Sequence, residues 1–73
     1  MADDKLVAKR RLEELLMAMS RRRDDLAAYR NTGDAAGVAR CERALKLNHA
    51  LIRAHCAKHN LDLPHDVPSE GAQ

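Results

Sequence analysis

"RNTGDAAG", residues 30–37, decides how this chain folds. Gly33 is the residue type that enters the left-handed conformation ending a helix, and Asp34 after it is a natural cap for the next helix. A turn this short between two helical runs sends the chain back antiparallel to itself. The stretch therefore predicts a helical hairpin, provided that the sequence on both sides is helical.

Upstream, Ala8, Leu12, Leu15, Leu16, Met19, Leu26 and Tyr29 recur at three- and four-residue spacing, an apolar stripe of helical period. Asp3 and Asp4 offer a cap and negative charge at the positive end of the helix dipole, so a first helix is expected over residues 4–30. Pairs at i,i+4 (Lys9 with Glu13, Arg10 with Glu14, Arg21 with Asp25) support its exposed faces. Downstream, Val38, Cys41, Leu45, Ile52, Cys56 and His59 form a second stripe, widened by Ala44, Asn48, Leu51 and His55, and predict a helix over 35–59. Asn60 can close it in the left-handed conformation with Leu61 packing back. Pro64 and Pro68 forbid more helix, and "HDVPSEGAQ" reads as a frayed end. The expectation is a hairpin over 1–63 and a disordered tail over 64–73.

Composition agrees with an all-α chain. There is no Phe or Trp, Tyr29 is the only aromatic, and β-branched residues are confined to Val7, Thr32, Val38, Ile52 and Val67. A net charge of +2, with both signs interspersed, is far below that of a dedicated nucleic-acid binder. The opening "MADDKLVAKRR" has no apolar run resembling a signal sequence, and no stretch approaches the length of a membrane span. A cytoplasmic location with Cys41 and Cys56 reduced is expected, and no membrane association.

Two antiparallel helices of nearly equal length set Leu26 level with Val38 and Ala39, Met19 with Leu45 and Lys46, Leu16 with His49, and Leu6 with His59. Arg23 falls level with Glu42, which predicts a salt bridge. A pair of helices cannot enclose a core, and Ala44, Leu47, Leu51, Ala18 and Val7 give more apolar width than one partner helix needs. The simplest cover is a second copy, making a homodimeric four-helix bundle with Leu12, Leu15, Leu16, Met19, Leu26, Val38, Cys41, Leu45, Leu51, Ile52 and Cys56 along its seams. Other covers are a different protein partner or the tail folded back. Within one chain, Cys41 and Cys56 are separated by about 22 Å of straight helix and cannot form a disulfide. Across a dimer they could face each other.

Two stretches invite chemistry. In "HALIRAHCAKHN", residues 49–60, His55 and His59 share a helix face at chelating spacing, with Cys56 between them. No C-x-x-C or H-E-x-x-H pattern accompanies them, so His55, Cys56 and His59 are weak metal candidates, Cys41 or His49 being possible completions from a partner chain. In "SRRRDD", residues 20–25, Arg21, Arg22 and Arg23 fan around the helix, and with Arg10 and Arg11 they could touch phosphates. Asp24 and Asp25 oppose that reading. Nothing resembles a nucleophile–base pair or a phosphate loop, and the expectation is no enzyme and no cofactor.

The stretch "YRNTGDAAGVARCERALKLN" resembles part of a tetratricopeptide repeat at Gly33, Asp34, Ala44, Leu45 and Leu47. It is one residue short between the two signatures and lacks the aromatic and Leu-Gly positions of the first helix. The resemblance implies shared hairpin chemistry and no family. The expected function is a small adaptor or regulator acting through protein contacts as a homodimer. Nucleic-acid binding through the Arg-rich face is the alternative, and a metal- or redox-responsive module a weaker one.

Overall fold

A computed structural model describes residues 2–69, with the backbone alone for 2 and 3. Two helices, α1 over Ala2–Thr32 and α2 over Ala35–His59, form an antiparallel hairpin, with no strand among the described residues. The molecule measures 49 × 24 × 16 Å, its long axis being close to the length of α1 alone.

The turn is built as its residues require. Gly33 has φ +74°; its N–H donates to the Arg30 carbonyl at 3.3 Å, and the Asp34 N–H to the Tyr29 carbonyl at 3.0 Å. This double closure satisfies the carbonyls at the end of α1. It also explains why α1 runs two residues beyond its expected end. Asn31 and Thr32 must stay helical for the closure to form, and the Thr32 hydroxyl donates back to the carbonyls of Ala28 and Tyr29. Asp34 is extended at φ −83°, ψ 90°, and its carboxylate accepts from the Gly37 N–H at 3.0 Å, capping α2. Asn60 ends α2 at φ 57°, ψ 45°, and the Leu61 N–H closes onto the Cys56 carbonyl at 2.9 Å. The expected cap at Asp3 concerns a side chain outside those described.

The register follows the sequence. Lys5 Nζ donates to the Asn60 carbonyl at 3.5 Å, and His55 Nε2 to the Ala8 carbonyl at 2.8 Å. None of the three expected i,i+4 pairs closes; Arg11 takes Glu14 at 2.9 Å instead. Such exposed pairs differ by tenths of a kcal/mol, so any of several arrangements suffices.

The tail departs from expectation. Residues 61–69 cross back over the hairpin as a strap, turning where the Val67 N–H donates to the Pro64 carbonyl at 3.2 Å. Val67 is 3% exposed and belongs to one core cluster with Met19, Ile52 and Cys56, against which Leu12, Leu15, Leu16, Leu45, Leu61 and Leu63 pack. Residues 70–73 of the expected disordered tail lie outside the described residues. Because the strap supplies a third layer, Met19 and Ile52 reach 2% and 0% exposure within a single chain. Burial therefore does not require the second copy that the sequence called for. Pairing of copies is not part of what the structure describes.

Candidate functional site

Contacts distinguish two flanks of the hairpin. On one, Tyr29 of α1 lies over Gly37 of α2, where a Cβ would come within 2.5 Å of the Tyr29 ring. On the other, Arg23 of α1 and Arg53 of α2 both hold the strap. Arg23 donates to the Asp66 carboxylate at 2.9 Å and to its carbonyl at 2.7 Å, and Arg53 to the Pro68 carbonyl at 3.0 Å. The expected Arg23–Glu42 salt bridge is thus corrected: the strap brings a carboxylate to Arg23, and Glu42 pairs with Arg30 at 3.5 Å.

Helical spacing extends each flank along the chain. Gly37, Ala44, Asn48, Leu51 and His55 follow one another at seven, four, three and four residues, the spacing of a single helix side. Tyr29, Arg22, Ala18, Leu15 and Arg11 do the same on α1. This flank, opposite the strap, is open: Leu47 is 61% exposed and Leu51 48%, with Val7 at 63% toward the far end of α1. Leu51, expected in the seam, is therefore not a core residue of the single chain. Within the single chain Met19, Leu26, Cys41, Ile52 and Cys56 are buried, while Leu12, Leu15, Leu16, Val38 and Leu45 are half-buried.

Under the strap, His49 lies half-buried, its Nε2 enclosed without a protein partner. Burial pushes its imidazole below the usual histidine range, and Arg23 and Arg53 push the same way, partly offset by Asp66. Asp66 is held below the usual carboxylate range chiefly by the hydrogen bond from Arg23. Two cations and one anion thus surround a neutral imidazole at the point where the strap is fastened.

The metal candidates do not converge. The His55 and His59 rings lie 4.6 Å apart, but His55 Nε2 is committed to the Ala8 carbonyl. Cys56 points the other way, toward the Asp62 carbonyl at 3.8 Å, and burial raises its thiol pKa, keeping it protonated. Among the described residues no three His, Cys, Asp or Glu side chains gather closely enough to hold a metal ion. Cys41 and Cys56 are free and buried at 1% and 3% exposure. Both are covered within their own chain, so neither thiol is presented on the surface of the single chain.

Of the five arginines proposed to touch phosphate, Arg11 is paired with Glu14 and Arg23 with Asp66. Arg10 and Arg21 are exposed on the outer side of α1 among Glu13, Glu14 and Asp24, and Arg22 turns toward the open flank. The stretch is a mixed-charge surface, not a continuous basic one. No described helix is long and apolar enough to cross a membrane.

The residues that sequence reasoning missed belong to the strap: Leu63 and Val67, with Arg53 as its second anchor. Apolar residues persisting past the Asn60 cap were the available signal. No family model, no curated protein and no solved structure matches this chain.

Proposed function

We propose that this chain is a small non-enzymatic adaptor or regulator that acts through protein–protein contacts made by its open flank. The observation that carries this reading is an apolar strip left in water on the flank of the hairpin that the strap does not cover. Leu47 and Leu51 stand one helical turn apart on it, beside Ala44 of α2 and Ala18 of α1. Such a strip marks a site of association more often than an accident of composition. Two copies joined through it would form the homodimeric four-helix bundle expected from the sequence, by a symmetric contact of one surface with itself. A crossing of α1 over the partner's α2 would set Glu14 and Asp25 among the arginines at 40 and 43, adding charge pairing at the rim.

The test is the double variant Leu47→Glu/Leu51→Glu. Both positions are solvent-exposed in the single chain, so the fold should survive, with helix content unchanged by far-UV circular dichroism. Self-association in size-exclusion chromatography with light scattering should be lost. Unchanged association of a folded double variant would remove the flank from the mechanism.

A further inference from the structure

Under the strap, the Nε2 of His49 is enclosed and meets no hydrogen-bond partner among the described residues. α1 sets Arg23 near the ring, α2 sets Arg53 one turn further on, and the strap sets Asp66, with the exposed His65 next to it. Both guanidiniums keep their charge at any ordinary pH. The Asp66 carboxylate already accepts from Arg23 at 2.9 Å, and the second guanidinium nitrogen holds the Asp66 carbonyl at 2.7 Å. A neutral imidazole loses little in such a place. A protonated one carries N–H on both nitrogens, so the enclosed Nε2 becomes a charged donor without an acceptor, beside two cations.

That penalty is relieved by whichever cover detaches most easily, and the strap is the weaker one. Val67 is the only fully buried residue of the described strap; Leu61, Leu63 and Pro64 are half-buried and the others exposed. Its fastenings from Arg23 to Asp66 and from Arg53 to Pro68 lie at exposed positions, where such bonds add little. By contrast, Ala8, Met19, Leu26, Cys41 and Ile52 are buried along the length of the hairpin. The Leu61 N–H closes α2 on the Cys56 carbonyl, so residues 62–69 can leave without uncapping that helix. Beneath them lies Cys56, 3% exposed and clustered with Val67, its Sγ 3.8 Å from the Asp62 carbonyl. Cys41 is as well buried but stands about 22 Å away along α2, outside that cluster.

We propose that the strap is an acid-released lid whose trigger is His49: protonation of this imidazole frees residues 62–69, with α1 and α2 still paired, and uncovers Met19, Ile52 and the Cys56 thiol. The device lies on the strapped flank and is independent of the open-flank reading above. Its sign follows from where the proton is welcome. The closed state excludes it and the open state, with the ring in water, accepts it, so acid favours opening. An imidazole in water titrates near about pH 6.5, so going from about pH 7.5 to about pH 5.5 raises the opening equilibrium by up to about tenfold.

The experiment traps thiols of the full chain with dithiodipyridine, which reacts in mild acid, and assigns the modified cysteine by peptide-mapping mass spectrometry. Rates are divided by those of the urea-unfolded chain at the same pH, which removes the reagent's own pH dependence. With reclosing fast, the normalised rate follows the open population. Cys56 should gain about tenfold between about pH 7.5 and about pH 5.5, while Cys41 stays within about twofold and the far-UV circular dichroism is constant. In a folded His49→Gln chain the Cys56 gain should vanish. In His65→Gln, which changes the exposed neighbour, it should persist. A gain retained in His49→Gln or lost in His65→Gln would overturn the proposal. So would equal gains at both cysteines with loss of helix, which is global unfolding, or a Cys56 rate that is flat or falls in acid, which means that protonated His49 fastens the strap.

Discussion

Gly37 is the residue at which one methyl group decides packing. In most helix positions Ala is favoured over Gly by about 1 kcal/mol. Here a Cβ would lie 2.5 Å from Tyr29 Cδ1 and 2.6 Å from Cγ, atoms near the base of the ring that cannot swing clear alone. Overpacking of this kind costs about 1–3 kcal/mol, so it outweighs propensity. Gly37→Ala should lower stability in urea denaturation, and in a Tyr29→Leu background the same change should become neutral or stabilising. A gain in stability for Gly37→Ala alone would contradict the contact. Ile52, at 0% exposure, lies at the opposite extreme of exposure from Leu47 on the same helix. Ile52→Ala should cost about 2–5 kcal/mol, a large share of a small domain's stability, while Leu47→Ala should cost the folded monomer little. The local conformations of Gly33, Asp34 and Asn60 were legible because each follows from one residue's own backbone chemistry. Gly37 against Tyr29 was not, since it depends on which ring the second helix meets.

Among the elements, the strap was the least legible. Two prolines and a run of polar residues read as a frayed end, and prolines do forbid helix there. They do not forbid a non-helical turn from burying Val67, and that burial depends on where the hairpin leaves a gap, not on any local pattern. The same long-range placement redirected Arg23 from Glu42 to Asp66. Val67→Asp should release the strap, lowering the thermal midpoint and exposing Met19 to solvent while α1 and α2 keep most of their helix signal. Acid should act in the same direction. His49 is neutral in the folded chain, with its pKa depressed by burial and by Arg23 and Arg53. Its contribution is full above the ordinary value of 6.5 and is lost as pH falls below it toward the depressed folded value. Asp66 is depressed from 3.8 by Arg23, so its contribution persists to lower pH and disappears as pH falls through its folded pKa. Urea midpoints should therefore decline first below about pH 6.5 and again in the carboxylate range. His49→Leu should remove the first decline and spare the second. A midpoint that rises on mild acidification would mean that His49 gains a partner under the strap.

At the scale of the whole molecule, the hairpin, its register and its all-α character were readable from spacing and from one turn. The need for a second copy was inferred from the premise that two helices cannot close a core. The strap changes that premise, because it seals one flank and leaves the other, with Leu47 and Leu51, in water. In the proposed reading, association is a property of a surface and not a condition of folding. The separation is testable, since an obligate dimer loses its fold on dilution and a folded chain with a sticky flank does not. Sedimentation equilibrium of the full chain over a range of concentrations, with circular dichroism on the same samples, tests this most directly. The expected result is a mass that rises from one chain toward two through the micromolar range, with helix content constant throughout. A compact monomer at every concentration, or helix content that falls as the dimer dissociates, would contradict it.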